Sequence, residues 1–250
     1  MWTYRDRVAR QVLFLHNDPS APAALLGDVF AESGFDITSF DVVGAEYAGD
    51  PAIEVSLPDP ARFDVIVPLG SRWSVYDERL PWVGAEIDMV RRGLDAGVGV
   101  LGVCFGGQLL ARALGGTVAR SSAPEIGWCD VRSADPDAIP PGPWFQWHFD
   151  RFTVAPGTTV IADNDCATQA FVQGRATGLQ FHPEVDEQLV GRWIDEDTGG
   201  DIAGLGLDAG ELRARTAAEV PDAARRLRLL VRAFLARCED DSLHGAHRLG

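Results

Sequence analysis

The sequence predicts a doubly wound α/β fold with a mixed central sheet. Two observations carry the prediction. In the first half, short apolar runs of strand length alternate with helically spaced stretches, the pattern of βαβ units around a parallel sheet. After Gly116 the texture changes to closely spaced β-type runs, one pair of them with a hairpin signal.

Taken in order, "QVLFLH" (Gln11–His16) is short and apolar, as a buried strand should be. "PAALLGDVFAESG" follows with helical spacing and stops on Gly34. "DITSFDVV" is β-rich, and "FDVIVPLG" (Phe63–Gly70) reads as a second buried strand ending in a glycine turn. "LPWVGAEIDMVRRGLDAG" is helical, with Pro81 near its start and Gly97 at its end. "VGVLGV" is a third buried strand, followed by Cys104 and the helical "QLLARALGG". Beyond Gly116, "TVARSS", "IGWCDVR", "WFQWHFDRFTVA", "TVIADND" and "QAFVQGRATGLQFHP" read as short strands, with the turn at Gln173-Gly174-Arg175. The chain turns helical again from Asp186. Glu196–Gly210 is glycine-rich and reads as a loop, and "AARRLRLLVRAFLARC" reads as a final helix. We divide the chain into an N-terminal extension (1–10), one domain (11–238) and a polar, disorder-prone tail (239–250), with no internal repeat.

Composition narrows the function classes. The chain has 250 residues, 46% hydrophobic, enough for one sizeable core. Its 22 basic and 37 acidic residues give a net charge of −15. Such a chain repels phosphate backbones and anionic lipid, so neither nucleic acid nor membrane is an expected partner. Solubility alone explains the acidity. Cys104, Cys129, Cys166 and Cys238 match no zinc or disulfide spacing, so we expect no metal and a reducing cytoplasm. Arg5, Arg7 and Arg10 precede "VLFL", which is too short for a signal peptide, and no run reaches the ~18 apolar residues of a spanning helix. His16 ends the first strand, and His244 and His247 stand in the polar tail. "GVGVLG" (Gly97–Gly102) fits a dinucleotide pattern in letters only, because it opens a strand instead of following one. No cofactor is expected.

Chemistry concentrates at Cys104. A thiol on a strand–turn–helix elbow is projected away from the sheet, beside backbone N–H groups and a helix N-terminus. The glycines at 102, 106 and 107 permit close backbone packing. The plainer reading is a small buried hydrophobe. "GLQFHPEV" (Gly178–Val185) tips the balance by offering His182 and Glu184: an imidazole to move the thiol's proton and a carboxylate to orient the ring.

"GVCFGGQLLARALGG" and "GLQFHPE" resemble the two signature segments of the class I (triad-type) glutamine amidotransferases. "IVPLGSRWSVYDE", "APEIGWCDV", "FQWHFDRFTVAPG" and "NDCATQAFVQGRATGLQFHPE" follow the order seen in stand-alone proteins of the kind akin to a synthetase's glutaminase domain. The likeness covers roughly Val12 to Val185. It implies a flavodoxin-like three-layer sandwich and cleavage of the glutamine γ-amide through a γ-glutamyl thioester on Cys104. It gives His182 and Glu184 the other two triad roles. It also implies an oxyanion hole from the backbone N–H groups of Ser71 and Phe105, and substrate contacts from Gly70, Gln108, His148 and Phe149. Plainer readings stand beside these: Gln108 as a polar first-turn residue, and His148 as a packed strand histidine. The family's oxyanion loop usually reads Leu-Gly-Gly-Pro; here it is Leu69-Gly70-Ser71-Arg72. Serine where φ is positive would be strained, and Arg72 either reads a carboxylate or is solvated. No synthetase segment is read after Val185, so the ammonia acceptor is expected on a separate synthetase chain. The alternatives are a free-standing hydrolase of another γ-glutamyl compound and a non-catalytic binding or regulatory protein.

Overall fold

The apolar run after Arg10 becomes the first strand of one nine-stranded sheet. The computed structural model describes residues 9–240. The chain runs β1 (Arg10–His16), α1 (Ala24–Glu32), β2 (Phe35–Asp41), β3 (Val65–Pro68), α2 (Pro81–Asp95), β4 (Gly99–Val103) and α3 (Phe105–Ala113). There follow β5 (Thr117–Ser133), β6 (Gly142–Thr153), β7 (Thr159–Asp163), β8 (Thr168–Gln173), β9 (Ala176–Leu179), α4 (Glu187–Asp195), α5 (Asp201–Gly204) and α6 (Ala209–Glu239). The strand order is β2-β1-β3-β4-β9-β8-β7-β5-β6. From β2 to β9 the pairs are parallel, and from β9 to β6 they are antiparallel. The sheet is therefore mixed, and its parallel half has the flavodoxin-like order.

Strand alternation builds three layers. Leu13 and Leu15 of β1 pack with Trp82 and Met89 of α2 and Leu109 of α3. Phe14, between them, packs on the other face with Phe30 of α1 and Leu227, Leu230 and Phe234 of α6. Strands buried on both faces must be apolar throughout, which is why β1, β3 and β4 were readable as continuous runs.

Four boundaries differ from the sequence reading. The two runs at Thr117 and Ile126 are one 17-residue strand, β5, whose register shifts between Arg120 and Glu125. Arg10 belongs to β1, not to an extension. The glycine-rich stretch after Glu196 contains the short helix α5. The last helix starts at Ala209, not Ala223, and continues through Pro221. Its start is set by Asp208, whose side chain accepts from the Glu211 N–H at 2.8 Å. The remaining N- and C-terminal residues, Arg5, Arg7, His244 and His247 among them, lie outside the described residues.

The carboxyl ends of β3, β4 and β9 meet, where ligands bind in open α/β sheets. The β5–β6 ribbon closes over this edge, because the His182 N–H donates to the Phe145 carbonyl at 2.8 Å.

Candidate active site

Cys104 joins β4 to α3 with φ 51° and ψ −105°. Such a conformation costs about 1–3 kcal/mol in a residue with a Cβ and persists only where its surroundings fix it. They do so here. The Cys104 N–H donates to the Leu179 carbonyl at 2.9 Å, and the Cys104 carbonyl accepts from the Gln108 N–H at 2.9 Å. Gly106 and Gly107 let the first turn of α3 press on the neighbouring strand ends: a Cβ there would lie 1.9 Å from the Pro68 carbonyl oxygen and 2.2 Å from that of Leu179. The buried Cys104 Sγ is 3.9 Å from both the Trp147 carbonyl oxygen and Gln180 Nε2.

His182 follows β9. Its Nδ1–H donates to Glu184 Oε1 at 2.7 Å, and both side chains are buried. Burial alone would lower the imidazole pKa, but Glu184 and the Cys104 sulfur outweigh it and hold the ring well above its ordinary value. The Nδ1 contact leaves Nε2 for the thiol. A thiol, an imidazole and an orienting carboxylate so arranged can attack a carbonyl and return a proton to the leaving group. The edge of Trp193 packs on the His182 ring, with centroids 5.0 Å apart, and Trp193 Nε1–H donates to the Ser20 carbonyl at 2.7 Å.

The loop after β3 corrects one expectation. Ser71 is not at positive φ; among the described residues with a Cβ, only Ala24 and Cys104 are. The loop turns by other means: Ser71 Oγ accepts from the Trp73 N–H at 3.2 Å. Gly70 is tight on space instead: a Cβ there would lie 3.0 Å from His182 Cε1, so the ring would have to give way. Arg72 does read a carboxylate, but it is the chain's own. Its Nε and Nη2 donate to the two oxygens of Asp18 at 2.7 and 3.0 Å, and its backbone N–H donates to Oδ2 at 3.0 Å. Burial alone would raise the Asp18 carboxyl; the hydrogen bonds from Arg72 and Ser20 hold it below its ordinary value. Behind the loop, Asn17 donates to the Leu69 carbonyl and to Glu86, each at 3.2 Å. Burial pushes the Glu86 carboxyl up to about 8, against the Asn17 hydrogen bond.

A cleft of about 320 Å³ opens above Cys104. Ser71, Phe105, Gln108, His148 and Phe149 all line it, as do Cys104 and His182. Gln108 is held by Asp150, to whose carbonyl its Nε2 donates at 3.3 Å. The His148 ring is fixed through Nδ1, 3.0 Å from the Asp150 carbonyl oxygen, while Nε2 lies 3.2 Å from Glu125 Oε2 without making a hydrogen bond. The side chain is buried, yet the residue lines the cleft. Glu184 does not line the cleft; it lies behind the His182 ring. Gln180, Trp193 and Asp18 belong to the site but were not singled out in the sequence. Gln180 is in the "GLQFHPE" segment, whereas Trp193 and Asp18 carry no local signal.

The other three thiols do not line the cleft. Burial, then Glu125, pushes the Cys129 thiol up to about 12, and the same causes raise Cys166. Burial takes Cys238 up to about 12. Among the described residues no cluster of His, Cys, Asp or Glu could hold a metal, and no helix is long and apolar enough to cross a membrane.

The model of the glutamine amidotransferase class-I family matches residues 64–194. GMP synthase (glutamine-hydrolyzing) of Mycolicibacterium paratuberculosis is 33% identical over 172 residues, covering 61% of this chain and 31% of that protein. That of Mycobacterium leprae is 34% identical over 168 residues, covering 62% and 29%. The chain thus spans less than a third of the length of these relatives. Among solved structures, a glutamine amidotransferase from Thermotoga maritima superposes with a TM-score of 0.78 at 26% identity, covering 93% of this chain and 99% of that one. One from Methylobacillus flagellatus shares the fold, with a TM-score of 0.79 at 23% identity over 97% of this chain and 99% of that one.

Proposed function

The chain belongs to the glutamine amidotransferase class-I family, and from that premise we propose that it releases ammonia from the γ-amide of glutamine. The Cys104 thiol passes its proton to His182, and its sulfur attacks the amide carbon. The N–H groups of Ser71 and Phe105 receive the developing oxyanion. His182 gives its proton to the amide nitrogen, the C–N bond breaks, ammonia leaves, and a γ-glutamyl thioester remains on Cys104. Water then attacks the thioester while His182 takes its proton; glutamate leaves and the thiol is restored. Glu184 keeps the ring in the productive tautomer. Gln108 and the backbone at His148 and Phe149 hold the amino-acid end. These steps need only the chain's own groups and water.

The observation that carries this reading is the strained Cys104 elbow facing an imidazole that Glu184 holds at 2.7 Å. By likeness to the GMP synthases we further propose that the ammonia feeds a synthetase partner. The four free thiols support a reducing, cytoplasmic setting.

The test is ammonia and glutamate release from glutamine, with other γ-glutamyl compounds in parallel. It is paired with alkylation by a chloroketone analogue of glutamine. Ammonia release should vanish in Cys104→Ala, and the label should map to Cys104 while sparing Cys129, Cys166 and Cys238. A label on Cys129, or ammonia release that survives Cys104→Ala, would sink the assignment.

A further inference from the structure

We propose that Arg120 sets specificity by receiving the α-carboxylate of the γ-glutamyl substrate; this rests on the reaction proposed above and deepens it at the end of the substrate away from the sulfur.

Strand β6 lines the cleft from Trp147 to Asp150. Cys104 Sγ lies 3.9 Å from the Trp147 carbonyl oxygen, whereas Gln108 Nε2 reaches the Asp150 carbonyl at 3.3 Å. A strand rises about 3.3 Å per residue, so Phe149 stands roughly 7 Å beyond Trp147. In an extended γ-glutamyl group, four C–C bonds of ~1.5 Å put the carboxylate about 5–6 Å from the γ-carbonyl carbon. With that carbon on the sulfur, the carboxylate arrives at the level of Phe149. The Arg120 guanidinium lies over the Phe149 ring, 4.7 Å from its centroid, and lines the same cleft.

Of the two arginines on the cleft wall, Arg72 is committed, with two side-chain N–H groups on Asp18 and one on Ser20. Arg120 approaches Asp150 Oδ1 at 3.9 Å, beyond hydrogen-bond distance. The two Asp150 oxygens already accept from Ser74 at 2.5 Å and Tyr76 at 2.9 Å. Asp150 therefore attracts the guanidinium over the cleft without consuming its fork of donors, which matches a carboxylate in a bidentate manner.

Glu196, Asp197 and Asp201 stand on the rim of the cleft, in a chain of net charge −15. A substrate carboxylate is repelled there and attracted at Arg120.

The experiment compares two chloroketone reagents, the glutamine analogue and its counterpart lacking the α-carboxylate. Each is timed on Cys104 of the wild type, Arg120→Ala and Arg120→Lys. Labelling reads recognition even where turnover is slow. The wild type should prefer the carboxylate-bearing reagent by roughly 10- to 100-fold, the range for hydrogen bonds to a charged group. Arg120→Ala should bring the ratio close to one, Arg120→Lys should restore part of it, and the loss on glutamine should fall mainly in KM. A merely structural Arg120 would slow both reagents alike and leave the ratio intact, which overturns its role alone. A wild type that does not discriminate overturns the γ-glutamyl reading, and this one with it.

Discussion

Two residues hold states that they would not adopt in isolation: Cys104 with φ 51°, and His182 with a proton retained well above its ordinary pKa. The second depends on Glu184 and the Cys104 sulfur, because burial alone would push the ring the other way. Glu184→Gln keeps the shape but removes one of these charges, so the imidazolium should deprotonate at lower pH. The proton donor for departing ammonia is then lost earlier, and the alkaline limb of the kcat profile should move toward acid. A profile measured on both forms checks this; an alkaline limb that stays put would show that Glu184 does not set the proton's affinity. His182→Asn removes the proposed proton carrier itself, so turnover on glutamine should fall by roughly 10²–10⁴; comparable activity in both forms would show that another base, such as His148, does the work. Both members of this pair were legible because each lies in a short segment where the chain makes its own geometry: an elbow in one, a His-Pro-Glu turn in the other. Trp193 and Asp18 were not, since their meaning arises only across the fold, where Trp193 meets His182 and Asp18 meets Arg72. Ser71 misled for the opposite reason. Glycine in related loops suggested a positive φ, yet here the glycine that matters is Gly70, and it matters for the space beside His182.

The elements around the site divide the work between rigid ends and a tied loop. The β4–α3 elbow is fixed by its own backbone hydrogen bonds. The segment after β3 is instead pinned by side chains from elsewhere: Arg72 by Asp18 of the β1–α1 turn, Ser74 and Tyr76 by Asp150 of β6. Ser71 lies between β3 and these ties, so its N–H should hold its aim only while they hold. Asp18→Asn would free Arg72 at little cost in volume. We expect kcat on glutamine to fall, with the ~10²–10³ loss of one oxyanion donor as the upper bound, while chloroketone labelling of Cys104 persists. Steady-state kinetics beside the labelling assay reads both; an unaltered kcat would mean that the loop needs no tie at Asp18. The parallel strands could be read from sequence because burial on both faces makes them uniformly apolar. The join within β5 could not, because its register shift between Arg120 and Glu125 interrupts the β pattern. The start of α6 was hidden by Pro221 and by exposed polar positions that blur its apolar stripe.

On the scale of the whole molecule, α6 shows that the signature segments are not the folding unit. Those segments end near Val185, yet much of the layer covering one face of the sheet comes from residues beyond them. Leu227, Leu230, Val231 and Phe234 of α6 are buried in the same core as Phe14 of β1 and Phe30 of α1. Leu212 and Ala223, nearer its start, pack with Leu189 and Val190 of α4 beneath the β5–β6 ribbon. Burying one large apolar side chain contributes about 1.5–3 kcal/mol, so the four core residues alone contribute roughly 6–12 kcal/mol. The net stability of a whole domain is only about 5–15 kcal/mol. Packing on this scale also explains how the helix survives Pro221, which costs about 3 kcal/mol in a helix interior. A chain cut after Asp195 keeps Cys104, His182 and Glu184 but should lose cooperative unfolding, because the apolar face under α6 would be left in water. Phe234→Ala tests the same claim more gently. Its expected cost is about 3–5 kcal/mol, which lowers Tm by roughly 6–20 °C in a protein of this size, without touching the cleft. Thermal melts of the cut chain and of Phe234→Ala, followed by near-ultraviolet circular dichroism, measure both. A cut chain that melts sharply near the wild-type Tm would show that α6 is an appendage and that the active site stands on the sheet without it.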